Sequence, residues 1–325
     1  MANSGLNLLW EEAISHPHYG DYTQRVYEDV EDAGHLPLAT GGTYGWGMPN
    51  DPPTAEFVGD AAGKVLMDVG TGLGHATVLP ALENGAAAVY ATDVSEGNFA
   101  DMRQRAEAMG CGDALHKQLL DAGWWDRPLS KRPTVATVLG ALATADLPAD
   151  GSVDLLVARH SLQFGDPSTV LRFFDLAAAA LKPGGQAMAI NFTPFTHYMH
   201  QFDNGRTMRR IADLNWDYAA GDSDLPGGYL HPTEGYMHHS LAELMGKAEL
   251  ATGQDYRFLF FDEHTVVGLL RDWVRSRQER GLDAPLVIAG RNFFAPSSIA
   301  KVNKLVEDDA HANKENFVFT LQKQS

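Results

Sequence analysis

The chain has 325 residues, 44% of them hydrophobic and 10% aromatic, and a net charge of −17. That length and composition support one large α/β core with additions, and the acidic excess excludes an unassisted nucleic-acid binder, which needs a basic footprint. A single cysteine, Cys111, excludes an intramolecular disulfide and a zinc–cysteine cluster.

Residues 1–60 precede the main pattern. The opening residues, MANSGLNLLW, carry no basic segment and no long apolar run, so no secretory signal is expected. No stretch reaches the roughly 18 apolar residues of a membrane span. The sequence predicts short helices at 6–15 and 21–33, the second capped by Asp21. A loop rich in glycine and proline follows at 41–53, with Tyr44 and Trp46 in it.

The stretch from Lys64 to Asp93 reads as strand, glycine turn, helix, strand. The strand is predicted at 64–69, with Asp68 near its end, and the helix at 75–84. The second strand runs from 88 to Asp93. This is half of a nucleotide-binding βαβ unit. Glycines at 70, 72 and 74 permit a tight turn and close backbone approach to a ligand. Asp93 ends the second strand, where a carboxylate accepts ribose hydroxyls.

The spacing departs from the dinucleotide fingerprint, G-x-G-x-x-G/A. Its third small residue belongs at 75, which is His75; the glycine comes one residue early, at Gly74. Asp68 would also repel a pyrophosphate. A cationic nucleoside reverses that sign, and S-adenosylmethionine carries an ammonium and a sulfonium but no phosphate. A nicotinamide dehydrogenase is the weaker alternative.

The remaining elements follow in order. A helix is predicted at 95–109, then an insertion at 111–133 holding Trp124 and Trp125, then a third strand at 134–142. The fourth strand, 153–158, ends in Arg159-His160-Ser161-Leu162-Gln163. Open α/β sheets bind ligands at the carboxyl ends of their strands, which places Arg159, His160 and Gln163 for chemistry. An alanine-rich helix at 168–181 stops at Pro183-Gly184-Gly185, and the fifth strand, 186–192, carries Asn191 at its end. A long segment, 193–254, is rich in His, Tyr, Trp and Met. It holds His197, Tyr198, His200, Tyr236 and His238. Its spacings give no recognisable metal-ligand pattern, so no metal is expected. A helix at 240–250, strand six at 256–261, a helix at 264–280, a connection at 281–315 and strand seven at 316–322 complete the reading.

Asp68-Val69-Gly70-Thr71-Gly72-Leu73-Gly74 resembles motif I of class I S-adenosylmethionine-dependent methyltransferases, and Asp93 resembles their ribose-binding acid. The segment 147–156 resembles the lead into their fourth strand, and Leu181-Lys182-Pro183-Gly184-Gly185 the turn before their fifth. The resemblance implies a Rossmann-like, seven-stranded, mostly parallel sheet with helices on both faces. It further implies an N-terminal helical lid over 1–60, a cofactor-binding core over 61–192, a substrate-site insertion over 193–254 and C-terminal strands six and seven over 255–325.

The implied cofactor is S-adenosyl-L-methionine. Its expected contacts are Asp68, Gly70, Thr71, Gly72, Gly74, Asp93, Val94, Ala141, Leu142 and Arg159. The family's acidic adenine contact after strand three is missing from 141–145, where Ala143 or Thr144 stands at the acidic position, which leaves the backbone at 141–142 or a displaced Asp146 for that contact. The lid reading gives Tyr44 or Trp46 a cation–π role toward the sulfonium. These two, with Gln163, Asn191, Tyr198 and Tyr236, form the expected substrate set. A base, where one is needed, is sought among His160, His197 and His238, since histidine titrates near neutrality.

The expected activity is methyl transfer to a small molecule in the cytoplasm, without nucleic acid or membrane as partner; a homo-oligomer is left open. Two alternatives share the ligand. One is a cyclase or lyase that forms azetidine-2-carboxylate or acts like nicotianamine-forming enzymes, releasing methylthioadenosine. The other is a non-enzymatic S-adenosylmethionine-binding module.

Overall fold

The computed structural model describes residues 52–192 (apart from 73, 95, 122–123, 125–130 and 163–166), 263–294 and 316–325, and short strand segments at 43–44, 48–49, 238–240 and 257–259. Thr43–Tyr44 (β1) pairs antiparallel with Met48–Pro49 (β2). Pro52–Gly59 (α1) then leads into Val65–Val69 (β3). Val78–Glu83 (α2), Ala88–Asp93 (β4) and Asn98–Ala108 (α3) follow. After them come Leu115–Leu119 (β5), Val135–Leu139 (α4), Val153–Arg159 (β6), Pro167–Ala180 (α5) and Leu181–Phe192 (β7). The described C-terminal elements are His238–Ser240 (β8), Arg257–Leu259 (β9), Glu263–Glu279 (α6), Leu286–Phe294 (β10) and Asn316–Lys323 (β11).

Seven strands form one sheet in the order β10-β11-β7-β6-β3-β4-β5. β11 runs antiparallel to both its neighbours, and the strands from β7 to β5 are parallel. β3 and β6 are apolar almost throughout, the pattern of inner strands covered on both faces. One face is covered by α1, α2 and α3, whose Phe57, Val78, Leu82, Phe99 and Met102 pack on Leu66, Val89 and Val157. The other is covered by α4, α5 and α6, through Val135, Leu139, Phe173, Phe174 and Trp273. The expected α/β architecture is therefore the observed one.

Asp175, only 1% exposed, fastens α5 to α6. It accepts from Trp273 Nε1 at 3.0 Å and from the Arg277 guanidinium, which also lies 5.0 Å above the Trp273 ring. The buried carboxylate is thus paired and hydrogen-bonded, as a buried charge must be.

Two strands differ from the sequence expectation. The third strand is not 134–142 but β5, inside what reads in sequence as an insertion. Among the described residues β5 pairs with β4 only, and its LHKQL sequence is mostly half-buried, so it lacks the apolar run of an inner strand. Residues 134–142 instead hold α4. The β-branched content of Thr134, Val135, Thr137 and Val138 favours a strand, but the ends favour a helix. Thr134 and Thr137 form a capping box, and Gly140 closes the helix at φ 54 in the left-handed region.

Strand six is likewise not 256–261. β9 pairs with β8 outside the main sheet, and the sixth position belongs to β10. β10 is an edge strand with a bulge between Ile288 and Gly290 and exposed Arg291 and Asn292, which is why its sequence reads as connection. The helix expected at 240–250 begins at a residue, Ser240, that belongs to β8. α6 lies where a helix was expected, and α2 is shorter than its expected 75–84.

The expected helices at 6–15 and 21–33 lie outside the described residues, as do Trp46, Gln163, His197, Tyr198 and Tyr236. Tyr44 and His238 are described only as backbone, in β1 and β8. Among the described residues no helix is long and apolar enough to cross a membrane.

Candidate functional site

The parallel strands β3, β4 and β6 end together, and the glycine turn leaves β3 at that end. Gly70, Gly72 and Gly74 have φ of 73°, 55° and 72°, all in the left-handed region. Gly70 has a second requirement: a Cβ there would lie 2.4 Å from Ser161 Cβ, so the β6 end closes directly on the turn. The turn is tied to the end of β4. Gly70 N–H and Thr71 N–H both donate to the Thr92 carbonyl, at 2.9 and 3.0 Å, and Thr92 N–H returns a bond to Thr71 Oγ1 at 3.1 Å.

Two carboxylates flank this turn from below. Asp93 is 6% exposed and accepts from Gly72 N–H at 2.7 Å. Asp68 is 1% exposed. Its Oδ2 accepts from the Thr77 hydroxyl, and its Oδ1 has no hydrogen-bond partner. Thr77 occupies the N-cap position of α2 but makes no side-chain cap bond, because its hydroxyl is directed to Asp68 instead.

Burial pushes the Asp68 carboxyl up to about 7, and the negative charge of Asp93 adds to the rise. The Thr77 hydrogen bond and the positive charge of Arg159 offset part of it. An orphaned carboxylate oxygen in a pair of buried acids fits a cation or a multiple donor. It does not fit a pyrophosphate, which would add negative charge to the two.

At the end of β6 the chain turns sharply. His160 has φ 52°, and it is the non-glycine residue with positive φ among those described. Its N–H donates to Ile190 O at 2.7 Å, which holds the β6 end to β7. Histidine in this region costs about 1–3 kcal/mol, a strain that persists where surrounding structure enforces it. Arg159 and His160 are half-buried.

Sequence reasoning missed Asp121. It follows β5 by two residues, half-buried, and its carbonyl accepts from Trp124 N–H at 2.8 Å. With the third strand at 115–119, Asp121 is the acidic residue in the loop after it; the run LHKQLLD, a short strand ending in an acid, is the signal. Ala141 and Leu142 fall instead beyond α4. Ala141 still bridges to Leu120, beside Asp121, while Leu142 is 61% exposed. Val94 directly follows β4, half-buried.

Farther along the same sheet end stand Asn191 near the end of β7 and Asn316 at the start of β11. Both are fully buried, and neither carboxamide has a hydrogen-bond partner on its nitrogen or its oxygen. Each unsatisfied buried polar group costs about 1–3 kcal/mol. The structure thus brings together Asp68, Gly70, Thr71, Gly72, Gly74, Asp93, Val94, Arg159 and His160 around one turn, with Asn191 two strands from β3. Among the described residues no cluster of His, Cys, Asp or Glu could hold a metal ion.

Residues 67–189 match a family model described as a methyltransferase domain. No curated protein sequence matches the chain. Among solved structures, the chain is similar to an S-adenosylmethionine dependent methyltransferase from Mesorhizobium loti, at 18% identity over 84% of this chain and 96% of that one, with a TM-score of 0.48. It is also similar to a putative S-adenosylmethionine dependent methyltransferase from Listeria monocytogenes, at 13% identity over 84% and 97%, TM-score 0.45. A third is geranyl diphosphate C-methyltransferase from Streptomyces coelicolor A3(2), at 14% identity over 83% and 75%, TM-score 0.45.

Proposed function

We propose that the chain, whose residues 67–189 match a methyltransferase domain, is a class I S-adenosylmethionine-dependent methyltransferase and that it methylates a small molecule. The observation that carries this reading is Asp68, sealed at the foot of the glycine turn with one oxygen lacking a partner. An ammonium on the ligand compensates the burial of that carboxylate, and an uncharged or anionic group placed there does not. When bound, S-adenosylmethionine supplies a methyl group activated by its sulfonium.

The chain's own residues do the rest by binding and orientation. Asp68 draws the ligand's ammonium. Gly70, Thr71, Gly72 and Gly74 let backbone approach closely, and Asp93 accepts the ribose hydroxyls. Asp121 accepts from the adenine amino group, with Val94, Ala141 and Leu142 lining the same side. Arg159 balances the charge of Asp68. His160 is the proposed base among the described residues, with His197 and His238 as further candidates. Tyr44, Trp46, Gln163, Asn191, Tyr198 and Tyr236 are assigned to the acceptor, with 193–254 as the substrate segment beside a core over 61–192. The single cysteine supports a cytoplasmic setting.

Calorimetry with S-adenosylmethionine, followed by mass spectrometry of reaction products, tests this reading. S-adenosylhomocysteine and a methylated acceptor are expected. Methylthioadenosine formed from the donor alone would move the assignment to cyclisation, and the lack of any donor binding would sink it.

A further inference from the structure

Thr77 is buried, and it stands at the N-cap of α2 without the bond usual there. A threonine in that position ordinarily accepts from a backbone N–H two or three residues on. Here the side chain makes no such bond, and its hydroxyl donates to Asp68 Oδ2. The glycine turn brings the two residues together. Gly74 N–H donates to the Thr71 carbonyl at 3.1 Å, and Leu79 N–H to the Gly74 carbonyl at 2.9 Å. Ala81 N–H donates to the Thr77 carbonyl at 3.0 Å, which fixes the Thr77 backbone to α2. The start of the helix is thereby folded back over the end of β3, and Thr77 meets the last residue but one of that strand.

The other groups that face Asp68 divide by sign. Asp93, at the end of β4, is a second negative charge, and Arg159, at the end of β6, is a positive one. The Thr71 hydroxyl, on the turn itself, donates to the Asp68 carbonyl at 3.3 Å and influences the carboxylate least. Burial is the largest influence and favours the protonated acid; the Thr77 hydrogen bond is the next and opposes it. The strongest opposition to burial thus comes from an uncharged hydroxyl and not from the guanidinium. With Oδ2 engaged by Thr77, Oδ1 is the carboxylate oxygen left for a ligand.

We propose that Thr77 is a positioning residue for the methyl donor: by donating to Asp68 Oδ2 it holds that carboxylate as an anion, with Oδ1 kept for the ligand's ammonium. Thr77 acts through Asp68 and does not touch the ligand. The inference rests on the donor reading and adds to it the residue that sets the pH range in which the donor binds. Loss of one hydrogen bond to the anion strengthens the hold of Asp68 on its proton about tenfold. The midpoint of Asp68 then moves upward from about 7. Binding of a ligand that needs the anion weakens most at low pH and recovers as pH rises. A helix start that has merely lost packing binds less well at every pH alike.

The test uses the full chain and S-adenosylhomocysteine, titrated by calorimetry from pH 6 to pH 8.5. Thr77→Val is expected to bind about tenfold more weakly than the natural chain at pH 6, about fivefold more weakly at pH 7, and within about twofold of it at pH 8.5. Proton release on binding at pH 7 is expected to rise from about half a proton in the natural chain to about nine-tenths in the variant. Thr77→Ser keeps the hydroxyl and should follow the natural profile. A deficit of one size at every pH overturns the proposal. So does a Val variant that binds as the natural chain does, or a Ser variant that binds no better than Val. Where Val does not fold, Thr77→Ala goes through the same series; failure of both to fold makes the hydroxyl a structural tie and overturns the proposal too. A natural chain that binds no S-adenosylhomocysteine at any pH overturns the donor reading, and the proposal with it.

Discussion

Asp68 carries the site's most informative chemistry, and its environment makes its behaviour with pH definite. Its ordinary value is 3.8, and in the folded chain burial takes it to about 7. Between those values the folded state keeps a proton that the unfolded state has lost. The contribution of this group to stability is therefore full below about pH 4 and is lost as pH rises to about 7. Asp68→Asn removes that loss, so the variant is expected to unfold at higher urea than the natural chain at pH 8. For a ligand that meets this carboxylate with an ammonium the sign reverses. S-adenosylhomocysteine affinity is expected to rise about tenfold per pH unit up to pH 7 and then level, with about one proton released on binding at pH 6. Calorimetry in buffers of different ionisation enthalpy reads that proton, and Asp68→Asn should abolish both effects. Gly70→Ala meets two obstacles, the left-handed φ and the close Ser161 side chain. A loss of at least about 2 kcal/mol is expected by urea unfolding. Asp68, the glycines and Asp93 were legible in the sequence because the turn imposes both residue type and spacing. The orphaned oxygen of Asp68 and the two buried amides were not, because hydrogen-bond satisfaction depends on residues distant in the chain.

Elements were legible where burial was two-sided. β3, β4, β6 and β7 read correctly because inner parallel strands carry unbroken apolar runs. β5 and β10 did not, because an edge strand with one partner tolerates lysine, glutamine, arginine and glycine. The helix at 135–139 was misread for a different reason: five residues are too few for a period, and its identity lies in its caps. Thr134→Ala is expected to cost about 1 kcal/mol through the lost capping box, measured by thermal unfolding. A strand at the same place would lose far less. The α5–α6 contact is held by charge as well as by packing. Asp175→Ala leaves the Arg277 guanidinium, itself 9% exposed, without its carboxylate, and about 3–5 kcal/mol is the expected cost. Trp273→Phe keeps the ring and loses one hydrogen bond, so a drop nearer 1–2 kcal/mol is expected.

For the whole molecule, the order β10-β11-β7-β6-β3-β4-β5 has a kinetic meaning. β11 is an inner strand, yet more than a hundred residues separate it from β7, its partner on one side. Closing so long a loop delays that pairing. Until it forms, β7 is itself an edge, offering the unpaired amides of Ala187 and Ala189 to any other chain. Refolding after dilution from urea is expected to proceed on a scale of milliseconds to seconds or slower. Its yield should fall as protein concentration rises, while light scattering grows in parallel. A yield independent of concentration would show that β7 is shielded by some other route. The strand that brings Asn316 to the sheet end is thus also the one whose arrival ends the chain's exposure to aggregation.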